Sequence, residues 1–193
     1  MRRDTSPAAW WARPCARWLL AREAAALAAL AHVPSVFGRV PRLLQRERDA
    51  LVRTWIDGRP LQEARPLGDS GFFRAARRLL LALHRAGLVH NDDAKEPNWL
   101  VAADGGPALV DFQLASRHRR RTRWFRLLAR EDLRHLLKHK RTYCPAALTA
   151  AERALLARPS CPARVLRAGP KRAYNVFTRR VLGWSDDEGA GLA

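Results

Sequence analysis

The order of elements between residues 68 and 115 limits this chain to few folds. "GDSGFFRAARRLLLALHRAG" (68–87) carries Phe72, Phe73, Ala76, Leu79, Leu80 and Leu83 as one helical apolar stripe. Asp69 or Ser70 suits the helix start, and Gly87 stands where a helix-ending glycine belongs. An acid-rich loop follows, "HNDDAKEPN" (90–98), then two apolar runs, "WLVA" (99–102) and "ALVDF" (108–112). The runs flank "ADGGP", a turn sequence that joins antiparallel strands. A hairpin there returns the chain, so that Asp111 comes back beside Asn98.

The loop and hairpin gather carboxylates (Asp92, Asp93 and Asp111), the Asn98 amide and the Lys95 ammonium. Oxygens of Asp and Asn suit Mg²⁺, which takes few protein ligands and completes its shell with water and phosphate oxygens. A further carboxylate can orient a hydroxyl or accept its proton, and a lysine can neutralise charge on a transferring phosphoryl group. That is the equipment of phosphoryl transfer. His90 is a structural residue in this reading, bonding backbone around the loop. The plain alternative is an acidic turn and a strand-end aspartate in a core hairpin.

Such clustering stands out because the chain is so basic. It has 193 residues, a formal charge of +18 and a pI of about 11.5, with 32 Arg and 4 Lys. That excess draws polyanions: nucleotide phosphates, nucleic acid or an anionic membrane face. An apolar content of 48% is enough for a core. Cys15, Cys144 and Cys161 have neither disulfide nor zinc spacing, which suits a reducing cytosol. The N-terminus is interrupted by charges and makes a poor signal peptide, and the longest apolar run, "AAALAALA", is too short to span a bilayer.

Elsewhere, residues 16–32 predict a helix closed by Pro34 and Gly38, residues 40–45 and 49–57 two strands, and "DGRPL" (57–61) a turn. Beyond the hairpin, six arginines fall between Arg117 and Arg126. An amphipathic helix follows, with Trp124, Leu127, Leu128, Leu133, Leu136 and Leu137 as its apolar stripe. "LTAAERALLAR" (148–158) is a helix with a capping box from Thr149 to Glu152, residues 169–184 are a last helix and 185–193 a frayed polar tail. Trp10, Trp11 and Trp18 are most simply packing residues.

At the loop and hairpin the sequence resembles the protein-kinase-like superfamily. "HND" with Asn98 downstream is similar to its H-R-D-x-x-x-x-N catalytic loop, and "DFQ" (111–113) to its D-F-G metal motif. The variant form resembles the atypical bacterial branch of RIO-type and lipopolysaccharide-core sugar kinases. The likeness covers about residues 16–140 and is specific over 84–115. It implies that Asn98 and Asp111 hold Mg²⁺, that a loop aspartate is the base and that Lys95 faces the transferred phosphate. Taking Asp92 as that base keeps the H-x-D triplet and makes Ala94 an insertion. Taking Asp93 fits the spacing to Asn98 but displaces His90 by one. The first register is preferred, and both aspartates stay candidates. Gln113 stands where the motif has a glycine.

At the front the likeness thins. No Lys precedes Lys95 and no Gly precedes Gly38, so the small lobe's ATP-clamping lysine and glycine-rich loop have no counterpart. The resemblance then implies a start upstream of Met1 or a truncated lobe. Glu23 would be the glutamate that pairs with that lysine, and Arg2 or Arg3 would lie near the lysine position. An arginine fork differs from an ammonium in geometry and reach. Asp57 and Gly58, in "WIDGRPL", fall at the hinge between lobes, where backbone groups would hold adenine.

These readings predict an α+β, two-lobed kinase-like fold, with a partial small lobe over 1–57 and a mainly helical large lobe over 58–193. The expected activity is ATP- and Mg²⁺-dependent transfer of the γ-phosphate to a hydroxyl, on a protein serine or threonine or on an anionic sugar-lipid. A pseudokinase scaffold is the competing class. A nucleic-acid binder has no recognised reading element behind it. The arginine run occupies the place of an activation segment: it is either a solvated basic face or a dock for an anionic acceptor or membrane surface. Trp124 and Phe125 would suit a membrane interface or serve as core anchors. The expected location is the cytoplasm, with the periphery of the inner membrane as the alternative.

Overall fold

A computed structural model describes residues 1–157; the helix expected over 169–184, the tail and Cys161 lie outside them. The chain divides into two compact units, Met1–Leu148 and Thr149–Ala193. The first unit opens with β1 (Arg2–Asp4), α1 (Arg13–Leu30), β2 (Leu43–Arg46) and β3 (Ala50–Arg53). The three strands form an antiparallel sheet in the order β1-β3-β2, with Arg3 opposite Leu51. Strand β1 escapes sequence reasoning because Arg-Arg-Asp has no strand preference of its own; pairing with β3 imposes it. The Met1 ammonium donates to the Arg53 carbonyl at 2.8 Å and Arg53 N–H returns a bond to Met1 O at 2.9 Å.

Helix α1 starts three residues before the expected position. Pro14 sits in its first turn, where its missing N–H costs nothing. Strands β2 and β3 are shorter than their expected spans, with a register shift between Leu43 and Gln45. The expected turn over 57–61 is instead β4 (Gly58–Pro60) followed by the single turn α2 (Leu61–Ala64). Gly and Pro mislead here for a physical reason. A Cβ on Gly58 would stand 2.9 Å from the Val101 carbonyl, so glycine permits close strand pairing. Pro60 is tolerated because β4 is an edge strand.

Helix α3 (Ser70–Arg85) is capped by the Asp69 carboxylate, which accepts from Phe72 N at 2.9 Å, and all six residues of its expected stripe are buried. It is followed by β5 (Leu88–Val89), β6 (Trp99–Ala102), β7 (Pro107–Leu109) and β8 (Ser116–Arg117). One sheet runs β4-β6-β7 and a second pairs β5 with β8. The hairpin's second strand ends at Leu109, short of the expected Phe112, because Asp111 takes a left-handed conformation (φ 62°). Gly87 has φ 75°, and a Cβ there would lie 2.5 Å from the His118 carbonyl. The core joins Leu27 and Leu30 of α1, the α3 stripe, Trp99 and Leu109 of the hairpin, and Phe112. Fully burying one such side chain stabilises by about 1.5–3 kcal/mol.

Helix α4 (Arg123–Tyr143) corrects two expectations. Leu136 and Leu137 of the expected stripe are buried, but Leu127, Leu128 and Leu133 are only half-buried, and Phe125, Ala129, Asp132, His139 and Tyr143 are buried in addition. Phe125 is the core anchor, while Trp124 is 45% exposed. Trp10, Trp11 and Trp18 are not packing residues either: they are 80%, 50% and 53% exposed. In the second unit, α5 (Ala150–Ala157) begins with the expected capping box. Thr149 Oγ1 accepts from Glu152 N at 3.2 Å and Glu152 Oε2 from Thr149 N at 2.9 Å. No helix among the described residues is long and apolar enough to cross a membrane.

Candidate active site

The loop between β5 and β6 closes on itself through Asn98. Its Nδ2 donates to the Asp92 carbonyl at 2.8 Å and to Asp92 Oδ2 at 3.2 Å. Lys95 Nζ stands 3.4 Å from the same Oδ2. Val110 N donates to the Asn98 carbonyl at 2.9 Å, which places Asp111, the next residue, against the loop. With its amide nitrogen engaged by Asp92, Asn98 has Oδ1 to offer a cation. Asp111 is part-exposed, and its left-handed backbone turns the chain out of β7 at this point.

His90 ties the two halves together. Its Nε2 donates to the Val110 carbonyl at 3.0 Å, its Nδ1 accepts from Asp92 N at 3.3 Å, and its ring meets Phe112 edge-on at 4.8 Å. A bond at each nitrogen fixes which one carries the proton and holds the Asp92 backbone relative to Asp111.

The two neighbouring aspartates point to different places. Asp92 faces Lys95 and Asn98. Asp93 is fully buried and faces α4, where His135 Nδ1 lies 3.0 Å from Asp93 Oδ1 and His139 Nε2 donates to the Asp93 carbonyl at 3.0 Å. Burial pushes the Asp93 carboxyl well above its ordinary range, and the nearby Asp132 and Asp92 carboxyls push it further.

Asp132 is a site residue that sequence reasoning missed. From α4 its carboxylate accepts from His90 N at 2.9 Å, Asn91 N at 3.0 Å and His84 Nε2 at 3.1 Å. It thereby fixes the loop backbone immediately before Asp92. No local signal marks it, since the buried residues of α4 also include Glu131, Arg134, His139 and Lys140. Glu96 is held from the same helix by the Tyr143 hydroxyl at 2.8 Å; the His139 and Tyr143 hydrogen bonds keep its carboxyl below the usual range.

From the first sheet comes a cation. Arg3 Nη1 lies 2.7 Å from Glu23 Oε2 and 3.4 Å from Asp111 Oδ1. Arg53 Nε lies 3.2 Å from Glu23 Oε1, close enough for an ion pair but not aligned as a hydrogen bond. Glu23 is fully buried, and burial pushes its carboxyl up against the opposing pull of Arg3 and Arg53. Glu23 therefore sits beside an arginine where the resemblance has a lysine.

Asp57 and Gly58 lie apart from this cluster. Asp57 lines an open cleft of about 570 Å³ with Phe37, Arg42, Trp55 and Asp104, and none of the clustered carboxylates lines it. Gly58 is paired with Ala102.

By sequence, the chain matches no family model and no curated protein. By structure, it is similar to two crystal structures of the Rio2 kinase from Chaetomium thermophilum. One is the complex with ADP/Mg²⁺ and phosphoaspartate, at 16% identity and a TM-score of 0.56, covering 89% of this chain and 52% of that one. The other is at 17% identity and a TM-score of 0.57, covering 89% and 54%. The fold is thus kinase-like, and the chain spans about half the length of the solved chains it matches.

Proposed function

We propose that this kinase-like chain is a phosphotransferase that moves the γ-phosphate of ATP to a hydroxyl and requires Mg²⁺. The observation that carries the reading is the gathering of Asp92, Lys95 and Asn98 on one loop, joined through Val110 to Asp111, with Arg3 bonded to Asp111 from the first sheet. The donor set fits the metal: the Asn98 amide oxygen and the part-exposed Asp111 carboxylate are hard oxygen ligands that leave room for water and phosphate oxygens. When bound, Mg²⁺ supplies charge neutralisation at the phosphates.

The chain's own groups divide the remaining work. Asp92 accepts the proton of the attacking hydroxyl as its oxygen bonds to the γ-phosphorus and the bond to the β-phosphate oxygen breaks. Lys95, 3.4 Å from Asp92, neutralises the moving phosphoryl group. Arg3, anchored by Glu23, takes the clamping role that a lysine has in the resemblance, and its fork suits a second contact to phosphate. Asp93 holds the loop from below and takes no part in the transfer. Asp57, in the link between β3 and β4, borders the cleft that would take the base, with Gly58 next to it at the start of β4. The acceptor is a protein hydroxyl or that of an anionic sugar-lipid.

In a single-turnover assay with γ-labelled ATP, Asp92→Ala should lose at least about a hundredfold in rate while keeping nucleotide affinity. Should Asp93→Ala do this instead, the roles of the two aspartates are reversed. Should neither matter, the transfer reading fails.

A further inference from the structure

One surface feature of the described residues is not used by phosphoryl transfer. Six arginines from Arg117 to Arg126 are all exposed, and no acid occurs between Ser116 and Arg130. Elsewhere in this unit, some exposed or half-buried arginines pair with acids: Arg2 with Glu47, Arg17 with Asp49, Arg39 with Asp104. This run has none within it. It is also fringed by indoles. Trp124 projects from the first turn of α4 inside the run. Trp18 projects from α1 and carries the Arg22 guanidinium 4.6 Å from its ring centre. Arg22 in turn donates to the Leu114 and Ala115 carbonyls at 2.8 and 2.7 Å, at the start of the run. Trp10, 80% exposed, stands in the turn leading into α1. Arg22 with Trp18 thus adjoins the start of the run and Trp124 lies inside it, a band of bases and indoles.

We infer that this band is a docking surface for an anionic lipid bilayer. Its positive charge complements anionic headgroups, and indole rings favour the boundary between headgroups and acyl chains. A single-stranded nucleic acid has the same charge but asks for something else, a groove with aromatic platforms spaced to take successive bases. Here the indoles project from separate elements, Trp18 from α1 and Trp124 from α4. A fluid, flat surface accepts projecting indoles at any spacing. Docking of this kind needs no nucleotide, so it stands or falls separately from phosphoryl transfer.

The test is flotation of the full chain with vesicles of phosphatidylcholine, with and without phosphatidylglycerol, in parallel with binding to a single-stranded RNA homopolymer. The chain should bind only the anionic vesicles. Replacing Arg119, Arg120 and Arg121 by Gln should weaken that binding on the order of a hundredfold, from roughly fivefold per arginine. Trp18→Ala with Trp124→Ala should remove the part of binding that survives high salt. Replacing Arg74, Arg77 and Arg78, exposed on α3, by Gln is the control for general positive charge and should cost less than about threefold. Equal losses in the two arginine triples, absence of binding to anionic vesicles, or capture of RNA in place of vesicles would each overturn the proposal.

Discussion

Asp93→Asn separates the two adjacent aspartates without disturbing the loop. Asp93 is fully buried against Asp132, His135 and Asp92, and its carboxyl is held well above its ordinary value of 3.8. A folded state that keeps a proton the unfolded chain has released loses stability as pH rises. The loss runs from the unfolded value up to the folded one, at up to about 1.4 kcal/mol per pH unit for one group. Asparagine has no such proton, yet its amide oxygen can still face His135. The variant should therefore match wild type near pH 4 and grow more stable than it by up to about 1.4 kcal/mol for each unit above, until the folded value is passed. Urea unfolding from about pH 4 to pH 8 reads this difference directly, and Glu23, also pushed up by burial, cancels because both proteins keep it. Single-turnover rates on the same samples should be little changed. Parallel stability curves would show that Asp93 is ionised in the fold, and the account of a neutral buried acid behind the loop would be wrong.

Three further perturbations address other parts. Arg3→Ala leaves the buried Glu23 with Arg53 alone; it should cost about 1–3 kcal/mol and weaken Mg²⁺-nucleotide binding at least about tenfold, where the exposed Arg2→Ala should do neither, by thermal shift and equilibrium titration. Asp132→Ala orphans the His90 and Asn91 amides and should destabilise by about 2–5 kcal/mol in urea unfolding. Asp104 has its carboxyl lowered to about 2 by the Arg39 guanidinium, so its contribution is present above about pH 4 and lost as pH falls toward 2. Asp104→Asn should flatten that acid limb alone, and an unchanged acid limb would dismiss the pair as a stabilising contact.

The helix, loop and hairpin were legible because each has a local signature: the α3 stripe, the Gly-Gly turn and the acids between. Beta strand β1 was not, since three polar residues become a strand only when β3 is beside them. Helix α4 was legible as an element but only in part in its buried face. Its inner face bonds the loop backbone through Asp132 and His139, so polar residues occupy positions that a hydrophobic stripe assigns to leucine. The same cause hid Asp132. Spacing alone left Asp92 and Asp93 interchangeable; their partners differ only in three dimensions, Lys95 and Asn98 for one and His135 for the other. Arg3 near Glu23 followed from the resemblance, but its contact with Asp111 needed the sheet.

The central claim is that Asn98 and Asp111 grip a divalent cation that carries a triphosphate. Its most direct measurement is equilibrium titration of ATP onto the chain with and without Mg²⁺, repeated with Asp111→Asn. Binding should require Mg²⁺ in the wild type and disappear in the variant while its melting temperature without nucleotide is retained. ATP bound equally well without the metal, or by the variant, would contradict it.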